Sequence, residues 1–168
     1  MTALSAYENR QHHCSITDDL LQPKCRGQIN GSRRSQKTWD EYHERIKMRS
    51  LAEAKIINSE LGSNGITAET VLILDFNLFT QDKEGAKGIK EQLSENYEMS
   101  MYQDGEYSKI SGTSRPYAVN LSTEQHLGWV EFMHDVALSY GCIFSSWTVT
   151  EHKTKTSWSN ENIETEFN

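Results

Sequence analysis

Apolar residues recur along this chain with two different periods, and the change from one to the other marks out its elements. From Trp39 to Leu61 the period is three or four: Trp39, Tyr42, Ile46, Ser50, Ala54, Ile57 and Leu61. These form one stripe of a helix, with Asp40, Glu44, Lys47, Glu53 and Lys55 mostly off it. The helix is expected to begin near Ser35 to Thr38. Gly62 stands just past the last stripe residue, where a helix-ending glycine belongs, and Ser63-Asn64-Gly65 reads as a turn.

The period then drops to two. In Thr70 to Phe79 the even positions Leu72, Leu74, Phe76 and Leu78 are all apolar, so one strand face is core. Val71 and Ile73 ask for cover at one end of the other face. The preceding helix is the obvious cover, and a second copy of the chain is the alternative. Asp82 is a good N-cap for a helix reaching to about Asn96, with Ala86, Ile89 and Leu93 as its stripe. Gly85 and Gly88 either weaken this helix or permit its close packing on a sheet. Glu98 to Gln103 alternates again, Asp104-Gly105 signals a hairpin, and Tyr107 to Ser114 is the return strand, ended by Arg115-Pro116. Ser122 and Gln125 fit a capping box at the head of a last helix, which Gly141 stops. Cys142 to Val149 is the closing strand.

The order is a helix followed by βαββαβ. Two crossovers around a central hairpin predict an α+β, ferredoxin-like sandwich, with an antiparallel sheet and helices on one face. The expected boundaries are a loosely ordered extension over 1–36, a domain over 37–151 (helix 37–61, βαββαβ 69–151) and a polar tail over 152–168. Trp158 and Phe167 are the tail residues able to dock.

Charge sharpens this outline. Residues 1–38 carry six Lys or Arg against three Asp or Glu, so the net charge of -7 leaves -10 for the remainder. An acidic domain repels phosphates and favours a basic protein partner over nucleic acid. Cys14, Cys25 and Cys142 are too few and too irregular for a disulfide framework. No run has the apolar length of a membrane helix, and the first residues, MTALSAYENRQHHC, lack the apolar core of a signal peptide. The expectation is a cytoplasmic protein, monomer or homodimer.

No catalytic set assembles from the spacing. His12, His13, Cys14 and Cys25 have zinc-ligand chemistry without zinc-ligand spacing. His126 and His134 lie eight apart on one helix, too far for a helical metal pair, and read as one partly buried and one exposed histidine. Ser145-Ser146 lies inside a strand rather than on a glycine-flanked elbow. Gly112-Thr113-Ser114 is too short for a phosphate loop, and Cys142 reads as a buried, inert thiol. Asp75, in the strongest strand, is the one carboxylate that would act as a base if desolvated in a cleft; it otherwise bonds locally on the less buried face. Tyr102, Tyr107 and Trp147 would suit base stacking on an open sheet, but the Lys/Arg-Gly-Phe strand motif of RNA-recognition domains is absent. No catalytic, cofactor or metal residue is therefore assigned.

Four stretches together resemble the RraB family, regulators of the endoribonuclease RNase E: Ala54-Lys-Ile-Ile-Asn-Ser-Glu-Leu-Gly62, Leu74-Asp-Phe-Asn-Leu-Phe79, Leu93-Ser-Glu-Asn-Tyr97 and Ser145-Ser-Trp147. The resemblance spans about Ser50 to Glu151 and lies in element order and apolar spacing. It implies a bacterial, non-catalytic domain that binds an endoribonuclease through a basic segment and so modulates RNA decay. The chain departs from the family in its basic N-terminal extension and in lacking a strongly acidic C-terminal tail. Other readings stay open: an immunity protein against a toxin, a small ligand-binding domain or enzyme using Asp75, and an RNA-binding domain.

Overall fold

The computed structural model describes residues 29–166, with side chains from residue 35 onward. The chain divides into two compact units, Met1–Tyr42 and His43–Asn168. Helix α1 (Ile29–Ser63) begins in the first and continues in the second. Trp39 and Tyr42, in the first unit, stack at 6.1 Å and are each more than a third exposed.

In the second unit α1 is followed by β1 (Val71–Thr80), α2 (Lys83–Leu93), β2 (Glu98–Asp104), β3 (Tyr107–Thr113), β4 (Val119–Asn120), α3 (Thr123–Ser139), β5 (Ile143–Glu151) and β6 (Ser157–Ser159). The protein is thus α+β. Among the described residues six strands form one antiparallel sheet in the order β2-β3-β1-β5-β6, with β4 paired to the start of β1. Helices α1, α2 and α3 contribute to a single core. Ala54, Ile57 and Leu61 of α1 pack with Ala86, Ile89 and Leu93 of α2, Val130, Met133 and Ala137 of α3, and the even positions of β1.

The helix ends follow local chemistry. Asp82 Oδ1 accepts the Glu84 amide at 3.0 Å, capping α2. Ser122 and Gln125 exchange both capping-box bonds, at 3.1 and 2.9 Å, at the start of α3. Gly141, at φ 63°, closes α3 with Cys142 N–H bonded back to Ala137 O. The helix-ending glycine of α1, however, is Gly65 and not Gly62. Gly65 has φ 76°, its N–H bonds Gly62 O, and Ile66 N–H bonds Leu61 O. That double bond pattern needs a left-handed residue two positions after Ser63.

Three further expectations are corrected. The helix before β1 packs on the even face of that strand, so it does not cover Val71 and Ile73. Both lie on the face away from the helices, where Val71 is 37% exposed and Ile73 is buried beside its ladder partner Thr150. The stretch 152–168 is not simply a polar tail: β6 pairs with β5, Trp158 joins the core, and Asn160 is buried in the 3-10 turn Asn160–Asn162. Phe167 lies outside the described residues. Finally, Gly85 and Gly88 do permit close packing, but against the end of α3. A Cβ at Gly85 would stand 2.1 Å from Tyr140 O, and one at Gly88 would stand 2.7 Å from the Tyr140 ring.

The glycines divide accordingly in their effect on stability. Gly85→Ala drives its Cβ into backbone and is expected to cost about 1–3 kcal/mol, despite the better helix propensity of alanine. Gly128, in α3, has open space around its Cβ position. Gly128→Ala is expected to stabilise by about 0.5–1 kcal/mol. Urea unfolding of the two variants beside the parent chain measures both.

Candidate functional site

The sheet faces differ sharply. On the face away from the helices, Asp75, Asn77 and Phe79 of β1 stand in rows with β3 and β5. Thr113 Oγ1 donates to Asp75 Oδ1, and Arg115 Nη2 reaches Asp75 Oδ2 at 3.2 Å. Ser111 donates to Asn77 Oδ1 at 2.8 Å, and Asn77 Nδ2 donates to Ser146 Oγ at 3.1 Å. Asp75 is therefore a partnered, part-exposed carboxylate on the open polar face. Further along, Phe79 and Tyr107 meet edge to face at 5.9 Å, and Lys109 lies over the Tyr102 ring.

The three aromatic residues suited to base stacking do not share that face. Tyr102 and Tyr107 are exposed on it, while Trp147 is 1% exposed and belongs to the core. The reason is a register shift in β5. Between Asn77 and Leu78 the pairing slips by one residue, leaving Ser145 as a bulge whose Oγ donates to Asn77 O. The bulge keeps both Phe144 and Trp147 on the helix side, stacked 5.5 Å apart.

Trp147 sits within a buried chain of hydrogen bonds. Arg49 Nε donates to Glu53 Oε1 at 2.7 Å, and Asn160 Nδ2 donates to Glu53 Oε2 at 3.0 Å. Asn160 Oδ1 accepts the Trp147 amide at 2.9 Å. The indole Nε1 of Trp147 donates to His126 Nε2 at 3.1 Å. Because indole is a donor only, His126 Nε2 is unprotonated; its Nδ1–H then donates to Asn58 Oδ1 at 2.8 Å. Asn58 Nδ2 donates to Thr123 O at 3.2 Å. Glu53 is 1% exposed; three residues after Ser50 and four before Ile57, it lies on the buried face of α1, which corrects its placement off the stripe. That spacing is the one mark of the relay in the sequence, since Asn160 falls in the stretch read as a tail.

His126 also lines a cleft of about 340 Å³ between the end of α1, the loop after it and the start of α3. Leu61, Ile66 and Leu121 supply apolar wall, and Asn58, Thr67 and Ser122 supply polar groups. Both ring nitrogens of His126 are engaged inside the protein, so the cleft holds no free base at that position.

Burial favours the neutral form of three groups. Burial lowers the His126 pKa to about 4. His134 is lowered to about 4 by burial, and then by the nearby His43 and Lys47 charges. Both histidines are buried, at 2% and 3% exposure, which corrects the expectation that one would be exposed. Burial raises the Cys142 thiol to about 11, far from a reactive thiolate. Among the described residues, no three His, Cys, Asp or Glu side chains come together as a metal site. His12, His13, Cys14 and Cys25 lie outside the described residues.

One margin of the sheet is strongly acidic. Between residues 91 and 108, Glu91, Glu95, Glu98, Asp104 and Glu106 occur with no Lys or Arg, and all five are exposed. Lys109, just beyond, pairs with Asp104. The whole second unit, from His43, holds nineteen acidic against eleven basic residues, a net of -8.

Two outcomes follow. Asn160→Leu strands Glu53 Oε2 and the Trp147 amide, and is expected to cost about 2–5 kcal/mol in denaturant unfolding. Stability should also fall in acid. Both histidines have folded pKa values below the unfolded 6.5, so their contribution is complete above 6.5 and lost as pH falls toward 4. On the order of 3 kcal/mol each is at stake. A series of unfolding curves between those pH values measures the slope, which a flat profile contradicts.

Among the described residues no helix is long and apolar enough to cross a membrane. No protein-family model matches the chain, and no curated protein matches it.

Proposed function

We propose that the chain is a non-catalytic protein-binding regulator whose acidic domain docks a basic segment of its partner. The observation that carries this reading is the acidic margin over residues 91–108, five exposed carboxylates of which one, Asp104, is paired with Lys109. Charge of one sign along one margin steers an oppositely charged partner and disfavours nucleic acid. The neutral rings of His126, bonded at both nitrogens, and of the buried His134, with the raised Cys142 thiol, support the non-catalytic part. The order β2-β3-β1-β5, with two helical crossovers, supports a ferredoxin-like reading of the fold.

The RraB-like stretches make the partner an endoribonuclease of the RNase E type, in the cytoplasm of a bacterium. All four stretches supply core side chains: Ala54, Ile57 and Leu61 from the first, Leu74, Phe76 and Leu78 from the second, Leu93 from the third and Trp147 from the last. A small-ligand-binding domain is the second reading, favoured by the cleft of about 340 Å³. Asp75 does not line that cleft.

A cleavage assay with purified RNase E and a substrate RNA tests the proposal. Adding the full chain is expected to slow cleavage or shift its sites, with the effect weakening as salt rises. Unchanged cleavage at a large excess of the chain, together with no binding to RNase E at low salt, refutes it.

A further inference from the structure

The two edges of the sheet are finished differently. At one edge β6 is only three residues long, and the chain turns at once into Asn160–Asn162. At the other, β2 is seven residues long and six of them are exposed. Its register with β3 is unbroken from Glu98 to Asp104. β2 contains no proline, lysine or arginine. Natural sheets ordinarily blunt such an edge with a bulge, a proline or a lysine, because its free N–H and C=O groups are a template for another strand.

The register says which groups those are. Asp104 and Tyr107 flank the two-residue turn Gly105-Glu106, where Gly105 has φ 60°, so they form a hydrogen-bonded pair. Alternation then directs Glu98, Ser100 and Tyr102 toward β3 as well. The Ser114 amide, bonded to Leu74 O, confirms the parity from the other side of β3. The backbones of Met99, Met101 and Gln103 therefore point away from the sheet. Their side chains lie on the helix-covered face, opposite Gly112, Ile110 and Ser108. Those of Glu98, Ser100, Tyr102 and Asp104 lie on the open face.

We propose that β2 is a docking edge that takes an extended, basic peptide segment of the partner as an added strand. This rests on the acidic-module reading above and specifies how that module binds. The incoming strand would exchange backbone hydrogen bonds with Met99, Met101 and Gln103. It would place basic residues opposite Glu98 and Asp104 on the open face, and apolar residues against Met99 and Met101 on the other. Charge selects this occupant over a second copy. Antiparallel self-pairing centred on Met101 sets Glu98 against Asp104 twice, and like charges directly opposite are destabilising.

The test uses the full chain and a short, end-capped peptide with lysines spaced as Glu98 and Asp104 are and valines alternating between them. A matched peptide is N-methylated on the residues whose N–H would face β2. The unmethylated peptide is expected to bind at low salt and to protect the amides of Met99, Met101 and Gln103 from hydrogen exchange. N-methylation is expected to weaken binding by about tenfold or more, since each lost backbone bond contributes roughly 1 kcal/mol. Met101→Pro, at an outward-facing amide that an edge strand tolerates, should leave the fold intact and abolish binding. Equal binding of the two peptides overturns strand addition while leaving the acidic-module reading intact. So does protection confined to other amides. Failure of both peptides to bind overturns the edge proposal, and the RNase E assay then judges the wider reading separately. Protection of the same amides that grows with protein concentration, without peptide, overturns it in favour of a second copy.

Discussion

The buried carboxylate of Glu53 sets the terms for much of this structure. A charge removed from water is costly unless it is paired and its lone pairs are filled. Here Arg49 takes one oxygen and Asn160 the other. Asn160 can do so only if the chain returns after β5 and places the 3-10 turn against α1. Its other function, accepting the Trp147 amide, fixes that turn to β5 at the position after the bulge. The indole then reaches His126 on α3, and His126 reaches Asn58, back on α1. One hydrogen-bonded relay thus joins α1, β5, the 3-10 turn and α3, and an apolar core alone would not specify their mutual register so narrowly.

The same relay engages both ring nitrogens of His126. Its histidine accepts at one nitrogen and donates at the other, so a proton added to Nε2 would face the indole N–H. Burial reinforces that preference for the neutral ring. Asp75, the carboxylate with the best claim to reactivity from its strand position, is bonded to Thr113 and Arg115 on the open face. Groups that could do chemistry are used to hold the sheet and helices together. On the surface, negative charge is concentrated along β2 and the residues flanking it.

Edges complete that picture. The β6 side is closed by a short strand and an immediate turn, whereas the β2 side is long, regular and acidic. Carboxylates at both ends of β2 discourage self-association while leaving its backbone groups available.

Much of the architecture was legible from residue order alone, because it depends on interactions within a few positions. The period-two pattern of β1, the Asp82 cap, the Ser122–Gln125 box, the Asp104-Gly105 hairpin and the Gly141 stop each have a local cause, and each stands in the structure. Gly65 rather than Gly62 as the end of α1 is a shift within the same local chemistry. Other features depend on partners far away in sequence. Glu53 and Asn160 meet across 107 residues; the spacing of Glu53 from Ser50 and Ile57 marks its face of α1 but not its partner, and nothing beside Asn160 marks it as buried. Pattern alone likewise could not assign α1 to the even face of β1, since both faces held apolar residues; the choice depends on where α2 and α3 left room in the core. Trp147 faces inward because a single bulge at Ser145 shifts its register, an event that alternation cannot announce. The sequence by itself determined the elements, their ends and the acidic margin, all of which arise from neighbours. Only the tertiary structure decided which polar groups are buried and which edge stays open, because those follow from contacts that exist only once the sheet has formed.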